Sequence, residues 1–255
     1  MTILGPTGPT GDPTDDLAPH QVMVSDRWPL LLPRHRVRDD WPTWEKERLA
    51  AMHDVIVPGD SLIDVGAEEG DFPALFATWG ADVTLIEPNP YVWPSIRTIF
   101  EMNDLPVPEW HVALAGESEV DAADDDTDSA PGADGWPACA HWPLFPGHGF
   151  RHLWEHGGKN TRVTTLDRIV WDSGKKVDVL TLDVEGGERF VLAGASRTLT
   201  ELPVKAVFVS IHPEFMENLY GITDGVRSIT DLMASYGYTG ELLAIDHEHH
   251  YLFTP

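Results

Sequence analysis

Cysteine is nearly absent. Cys139 stands alone among 255 residues. No disulfide can form within the chain, which suits a reducing compartment. Cations are scarce too: 17 Lys and Arg face 42 Asp and Glu, a formal charge of −25. Phosphate recognition needs clustered cations, so neither nucleic acid nor an anionic membrane is expected as a partner. No apolar run reaches the roughly 18 residues of a membrane span. The first residues show no basic segment followed by an apolar one, so no secretory signal is expected and a cytoplasmic location is. A G-x-G-x-x-G loop is missing, and so is the H-E-x-x-H of zinc proteases. The large negative charge speaks for solubility and leaves the oligomeric state open.

What is present suffices for one large domain, with 42% apolar residues. Its organising stretch is Ser61-Leu62-Ile63-Asp64-Val65-Gly66-Ala67-Glu68-Glu69-Gly70. An apolar run ends in an acid, a turn of small residues follows, and a helical pattern begins at Asp71. In such a crossover the N–H groups of a helix N-terminus face a ligand. Gly66 and Gly70 leave room for close approach. The acids Asp64, Glu68 and Glu69 would repel a pyrophosphate and favour a cationic cofactor, such as the sulfonium and ammonium of S-adenosyl-L-methionine.

Residues 1–40 read as a tail and arm, beginning with three Gly-X-Y triplets, too few for a collagen helix. Residues 41–255 read as the main domain. A helix is expected from Trp41-Pro42 to about Asp54, then strands over 61–65 and 82–86, a helix over 91–103 and a third strand over 111–114. Residues 117–160 break this rhythm as a long insertion, with an acidic run over 121–128 and then Trp136, His141, Trp142, Phe145, His148, Phe150, His152, Trp154 and His156. Regular structure resumes with a short helix ending near Trp171, a fourth strand over 177–182 and a helix through Leu199. A fifth strand over 206–211 and a helix over 226–236 follow, and a hairpin over 242–245 and 250–253 closes the chain. The fold class is α/β: a Rossmann-like, seven-stranded, mostly parallel sheet with a C-terminal antiparallel hairpin and helices on both faces.

Ionisable groups end each strand on one edge: Asp64, Glu87, Glu117, Asp183, then His212 and Glu214, with His247 in the hairpin turn. Turn capping explains one such acid, not a row of them. Glu87 ends the second strand roughly twenty residues after Asp64, where a carboxylate accepts two hydrogen bonds from a ribose.

Several pieces together resemble the FkbM-type methyltransferases. They are Leu62-Ile63-Asp64-Val65-Gly66-Ala67 with Gly70, Glu87-Pro88-Asn89-Pro90, Val112-Ala113-Leu114, Val163-Thr164-Thr165-Leu166-Asp167 and Leu182-Asp183-Val184-Glu185-Gly186-Gly187-Glu188. Glu68 departs from the Asn more usual there. The resemblance implies S-adenosyl-L-methionine as cofactor and O-methylation, often of a sugar hydroxyl in a glycan. By position it implies that Asp64, Gly66, Ala67, Glu68 and Gly70 line the methionine and ribose, and that Glu87 and Pro88 hold the ribose. Asn89, Ala113 and Glu117 would lie by the adenine, and Asp183 at the reacting centre.

A sugar hydroxyl is a poor nucleophile and needs a base or a metal ion. His212 is the expected base with Asp183 beside it, and His247 is the second choice. The alternative is a Mg²⁺-like divalent cation on Asp183, Glu185 and Glu214. Trp136, His141, Trp142 and Trp154 of the insertion are expected to meet a small-molecule or glycan acceptor, since aromatic rings suit sugar faces. Two other readings stay open: a small natural-product hydroxyl or carboxyl as acceptor, and a methyltransferase-like binding module without catalysis.

Overall fold

The computed structural model describes residues 18–120, 130–142 and 162–255. The Gly-X-Y triplets, the acidic run 121–128, and Phe145, His148, Phe150, His152, Trp154 and His156 lie outside the described residues.

The central sheet has seven strands. They are β3 (Ser61–Val65), β4 (Asp82–Ile86), β5 (Glu109–His111), β8 (Val179–Leu182), β9 (Ala206–Ile211), β10 (Thr239–Ile245) and β11 (His249–Thr254). Their order is β10-β11-β9-β8-β3-β4-β5, and only β11 runs against the rest. This is the α/β class expected. The inner strands are apolar at nearly every position because helices cover both faces. Successive side chains alternate between those faces. Leu62, Val179 and Phe208 point into one core with helices α1 (Lys46–Val55), α2 (Asp71–Thr78) and α3 (Trp93–Met102). Ile63, Leu180 and Val207 point into the other. That core is closed by α4 (Leu166–Ser173), α5 (Glu188–Ala193), α6 (Ser196–Glu201), α7 (Pro213–Tyr220) and α8 (Gly225–Ser235).

The arm is a hairpin, β1 (Pro19–Val24) with β2 (Trp28–Pro33), whose Val24, Leu30 and Leu32 are buried in the first core. Asn103 at the end of α3 holds it, accepting from Leu31 N–H at 2.9 Å and donating to Leu31 O at 2.8 Å.

Four expectations need correction. The first helix begins at Lys46, not near Trp41. The intervening backbone is held by the hairpin turn instead, through Ser25 N–H to Trp41 O (2.8 Å) and Ser25 Oγ to Trp44 O (2.9 Å). The third strand ends at His111. The chain leaves the sheet there, and β6 (Leu114–Ala115) pairs with β7 (Val163–Thr164), tying together the two ends of the insertion. The helix expected through Leu199 breaks into α5 and α6. Gly194 lies against Gly116 O, and Asp167 caps the new start by accepting from Arg197 and Thr198 N–H. Finally, α7 is an additional helix that opens with Pro213 in its first turn.

Behind β2 a 3₁₀ turn, Arg34–Arg36, reaches the loop after β3. Arg36 meets Asp71 in a two-pronged pair and Glu69 at 3.2 Å, and His35 Nε2 lies 3.2 Å from Glu69. Arg36→Ala would leave two buried carboxylates without their cation. The expected loss is about 3 kcal/mol in urea unfolding; an unchanged midpoint would show that the clasp contributes nothing.

Candidate active site

The strand order reverses between β3 and β8, because β4 and β5 extend the sheet one way and β8 starts the other. Open α/β sheets bind ligands at such a point. Here a cavity of about 490 Å³ lies over the carboxyl ends of the strands. Gly66 forms its floor at φ +88°, where an added Cβ would sit 1.9 Å from Asp183 O. Only glycine lets the β3 and β8 loops come this close. Glu45, Glu68 and Glu185 also take the left-handed backbone conformation, and all three line the cavity. Such strain gathers where the surrounding fold holds it for a purpose.

Two acids sit at the β3–β4 end. Asp64 is buried, and its Oδ2 has no hydrogen-bond partner among the described residues. Burial pushes its carboxyl well above the usual range, the Arg48 charge opposes this, and Asp183 and Glu87 add to it. Glu87 accepts from Asn89 N–H (2.7 Å) and Glu68 N–H (3.1 Å). Burial still lifts it to about 8, against the pull of those two N–H groups.

A second group gathers where β8, β9 and the β10–β11 turn meet. Arg48 of α1 is buried and reaches Glu45 (2.6 Å), Asp183 (3.2 Å) and Thr181 (3.4 Å). Burial lifts Glu45 to about 7 and Arg48 opposes this, while Asp183 and Glu248 reinforce it. His212 donates from Nδ1 to Glu188 at 2.8 Å, and its Nε2 lies 2.9 Å from Glu248, 3.6 Å from Glu185 and 3.7 Å from Asp183. Burial would lower this imidazole, but the hydrogen bond to Glu188, the close Glu248 carboxylate and the charge of Asp183 raise it to about 11. The turn carrying Glu248 is itself pinned, because His250 bridges Ser210 (3.0 Å) and Asp246 (3.2 Å).

Asp64, Gly66, Ala67, Glu68, Glu87, Pro88, Asn89, Ala113, Asp183, Glu185, His212 and His247 thus face one cavity, although their positions span most of the chain. Other expectations fail on geometry. Glu117 is exposed beyond the β6 pairing and does not line the cavity. Gly70 does not line it either; an added Cβ there would meet Ile96 Cα at 2.8 Å, so its role is to seat α2 against α3. Glu214 is exposed in the first turn of α7, outside the acid cluster. Glu69 faces Arg36 and His35, so it contributes no preference for a cationic ligand. His212 keeps its Nδ1 on Glu188 and turns Nε2 toward Glu248, Glu185 and Asp183, and these acids favour its protonated form over the base form expected of it.

The insertion also needs correction. Trp136 is buried against Phe100, His141 bonds to Arg97 (2.7 Å), and Trp142 packs on Tyr91. None of the three lines the cavity, because this segment lies along α3. Trp154 lies outside the described residues. The aromatic wall comes instead from Trp41, Trp44, Phe72 and Phe215. Sequence reasoning also missed Arg48, Glu45, Glu188 and Glu248. Glu45 and Arg48 stand three residues apart on what reads as a surface helix, and Glu248 sits beside His247 in what reads as a polar turn.

The family model for the methyltransferase FkbM domain matches residues 64–239. The chain belongs to this family. A search among curated proteins finds no match. Among solved structures, a methyltransferase FkbM from Methylobacillus flagellatus aligns with a TM-score of 0.50 and 16% identity, over 77% of this chain and 44% of that one. The present chain thus spans less than half of that neighbour. The magnesium protoporphyrin IX methyltransferase of Synechocystis, solved with bound SAM, gives 0.42 and 14%, over 80% and 72%. The ribosomal protein L11 methylase of Lactobacillus delbrueckii gives 0.48 and 9%, over 82% and 76%. What the FkbM domain shares with the first of these is its fold, a class I methyltransferase-like one.

Trp136 separates core from site in a direct experiment. Trp136→Ala is expected to cost about 3–5 kcal/mol of stability in denaturant unfolding. It should leave ligand affinity at the cavity within about two-fold; a selective loss of affinity with full stability would return Trp136 to the site.

Proposed function

We propose that this FkbM-domain protein transfers a methyl group from S-adenosyl-L-methionine to a hydroxyl of a sugar or glycan. The carrying observation is the distribution of carboxylates along one cavity: buried Asp64 and Glu87 at one end, half-buried Asp183 at the other, with Gly66 between them. Glu87 keeps lone pairs free beyond its two N–H bonds and would accept the ribose hydroxyls. Asp64 Oδ2 suits the ammonium of the methionine end. Gly66 leaves room for the chain that joins the two. Bound there, the cofactor would supply an electrophilic sulfonium methyl group.

The chain's own task is then alignment and proton handling. Asp183 is the proposed partner of the acceptor hydroxyl, with its other oxygen held by Arg48. His212 serves as a positive group between carboxylates. His247 is half exposed at the cavity and packs at a tilt against Trp44, and it is assigned to the acceptor side. Trp44, Phe72 and Phe215 present apolar faces of the kind that carry sugar rings. The net charge of −25 favours a neutral acceptor over a phosphorylated one or a nucleic acid. No helix among the described residues is long and apolar enough to cross a membrane, and the single buried cysteine fits the cytoplasmic location proposed.

Calorimetric titration with S-adenosyl-L-methionine tests the cofactor; absence of binding would sink this reading. The affinity should carry a pH signature. Ribose hydroxyls are accepted by the ionised form of Glu87, and its carboxyl stands at about 8 before binding. Binding should therefore strengthen as pH rises from 6.5 through 8, and Glu87→Gln should weaken it at least ~10-fold and flatten that dependence. Asp183→Asn should cut turnover of a methylated acceptor by ~100-fold or more while cofactor affinity stays within a few-fold; equal losses in both would place Asp183 in cofactor binding alone.

A further inference from the structure

The acid cluster at the β8–β9 end contains more than a hydroxyl's partner. We propose that Asp183, His212 and Glu248 form a divalent-cation site for a first-row transition ion, with Glu185 in reach as a fourth ligand. One donor atom from each of the first three lies within 4.8 Å of the others. Measured from His212 Nε2, the oxygens of Glu248, Glu185 and Asp183 stand at 2.9, 3.6 and 3.7 Å. Two donors about 2.1 Å from one ion lie roughly 3.0 Å apart at a right angle and roughly 3.4 Å apart at a tetrahedral angle. The three spans from His212 Nε2 lie close to these values, and the donor atoms of Asp183, His212 and Glu248 all stay within 4.8 Å of one another.

Two further observations point to a ligand there. Glu248 is 3% exposed, yet its Oε2 accepts no hydrogen bond among the described residues. Its 2.9 Å approach to His212 is an ion-pair distance outside hydrogen-bond geometry, so the two donor atoms stand side by side. The other imidazole nitrogen is anchored. Nδ1 is bound to fully buried Glu188, whose Oε1 also accepts Gly186 N–H at 2.9 Å. A carboxylate behind a histidine is the arrangement that orients a metal-binding imidazole. A bound ion would take the place of the Nε2 proton as the positive charge facing these acids. Imidazole and carboxylates together suit Mn²⁺ or Zn²⁺ better than an ion that accepts oxygen alone.

A second group, Glu45, His247 and Glu248, shares Glu248. Its histidine is 48% exposed, and the carboxylate behind it on Nδ1, Asp246, is itself 39% exposed. The first group is therefore the one assigned. This set replaces the expected Asp183, Glu185 and Glu214, because Glu214 is exposed and is not among the donors that come together.

At this position the ion would bind the acceptor hydroxyl and lower its pKa. That use rests on the methyl transfer proposed above; the ion site does not.

The test is titration of the EDTA-treated full chain with MnCl₂, followed by calorimetry and by electron paramagnetic resonance. One Mn²⁺ per chain is expected, with a spin-echo modulation from a histidine nitrogen. Glu248→Gln and Asp183→Asn should each weaken binding at least ~10-fold, and Glu214→Gln should not change it. Thermal melts establish that the variants are folded, and the nitrogen signal of the unsubstituted chain stands even if one variant is not. No Mn²⁺ or Zn²⁺ binding, binding without a nitrogen signal, or binding that survives both ligand substitutions would overturn the site. Titration of S-adenosyl-L-methionine into the EDTA-treated protein tests the cofactor reading separately, so either proposal can fail while the other holds.

Discussion

Arg36 and Arg48 each sit among several carboxylates, and the remainder of the site depends on those two positions. An α/β sheet that brings acids to one edge must compensate them, because an isolated buried charge is far costlier than a paired one. Arg36 takes Glu69 and Asp71 on one side of the cavity. Arg48 takes Glu45 and Asp183 on the other. Neither arginine belongs to the β-strand and loop motifs that name the family. Arg36 arrives on the turn behind the N-terminal hairpin, and Arg48 on the helix that precedes the first parallel strand. The segment before the family-matched region thus supplies the cations that let the matched region keep its acids.

This division explains the shape of the electrostatics. Glu69, which meets Arg36 and His35 of the arm, leaves the ligand surface, whereas Asp71 and Glu68 pair with Arg36 and still line the cavity. Asp64 and Glu87 meet only N–H groups, a more distant arginine or nothing, and burial raises both. Raised carboxyls in a cavity are poised to gain hydrogen bonds or positive charge from whatever enters. The acid cluster around His212 follows the same rule with an imidazole at its centre. Its second layer, Glu188 below and the Ser210–His250–Asp246 chain beside, holds the donors in place before any ligand arrives.

Most of the sheet was legible from residues alone. The runs Ser61–Val65, Asp82–Ile86 and Ala206–Ile211 are apolar, short and bounded by turn residues, so period and length gave the same answer as the structure. The strand-end residues Asp64, Glu87, Asp183 and His212 were legible for the same reason, since a parallel sheet leaves its carboxyl ends in one row. The insertion was not. Trp136 and Trp142 look like ligand aromatics in sequence, but the tryptophan-rich stretch from 136 to 142 packs along α3, a placement no local period encodes. Nor was the break at Gly194, which exists because Gly116 passes within contact distance.

The sequence by itself determined the fold class, the glycine loop and the row of acids, because each follows from local pattern plus the rules of parallel sheets. Only the tertiary structure decided which of those acids face the cavity. Pairing is settled by residues distant in the chain: Arg36 disarms Glu69, Arg48 steadies Asp183, and Glu188 and Glu248 bracket His212. A carboxylate's chemistry depends on what lies within about 4 Å of it, and at that range the fold, not the neighbouring residues in sequence, chooses the partner.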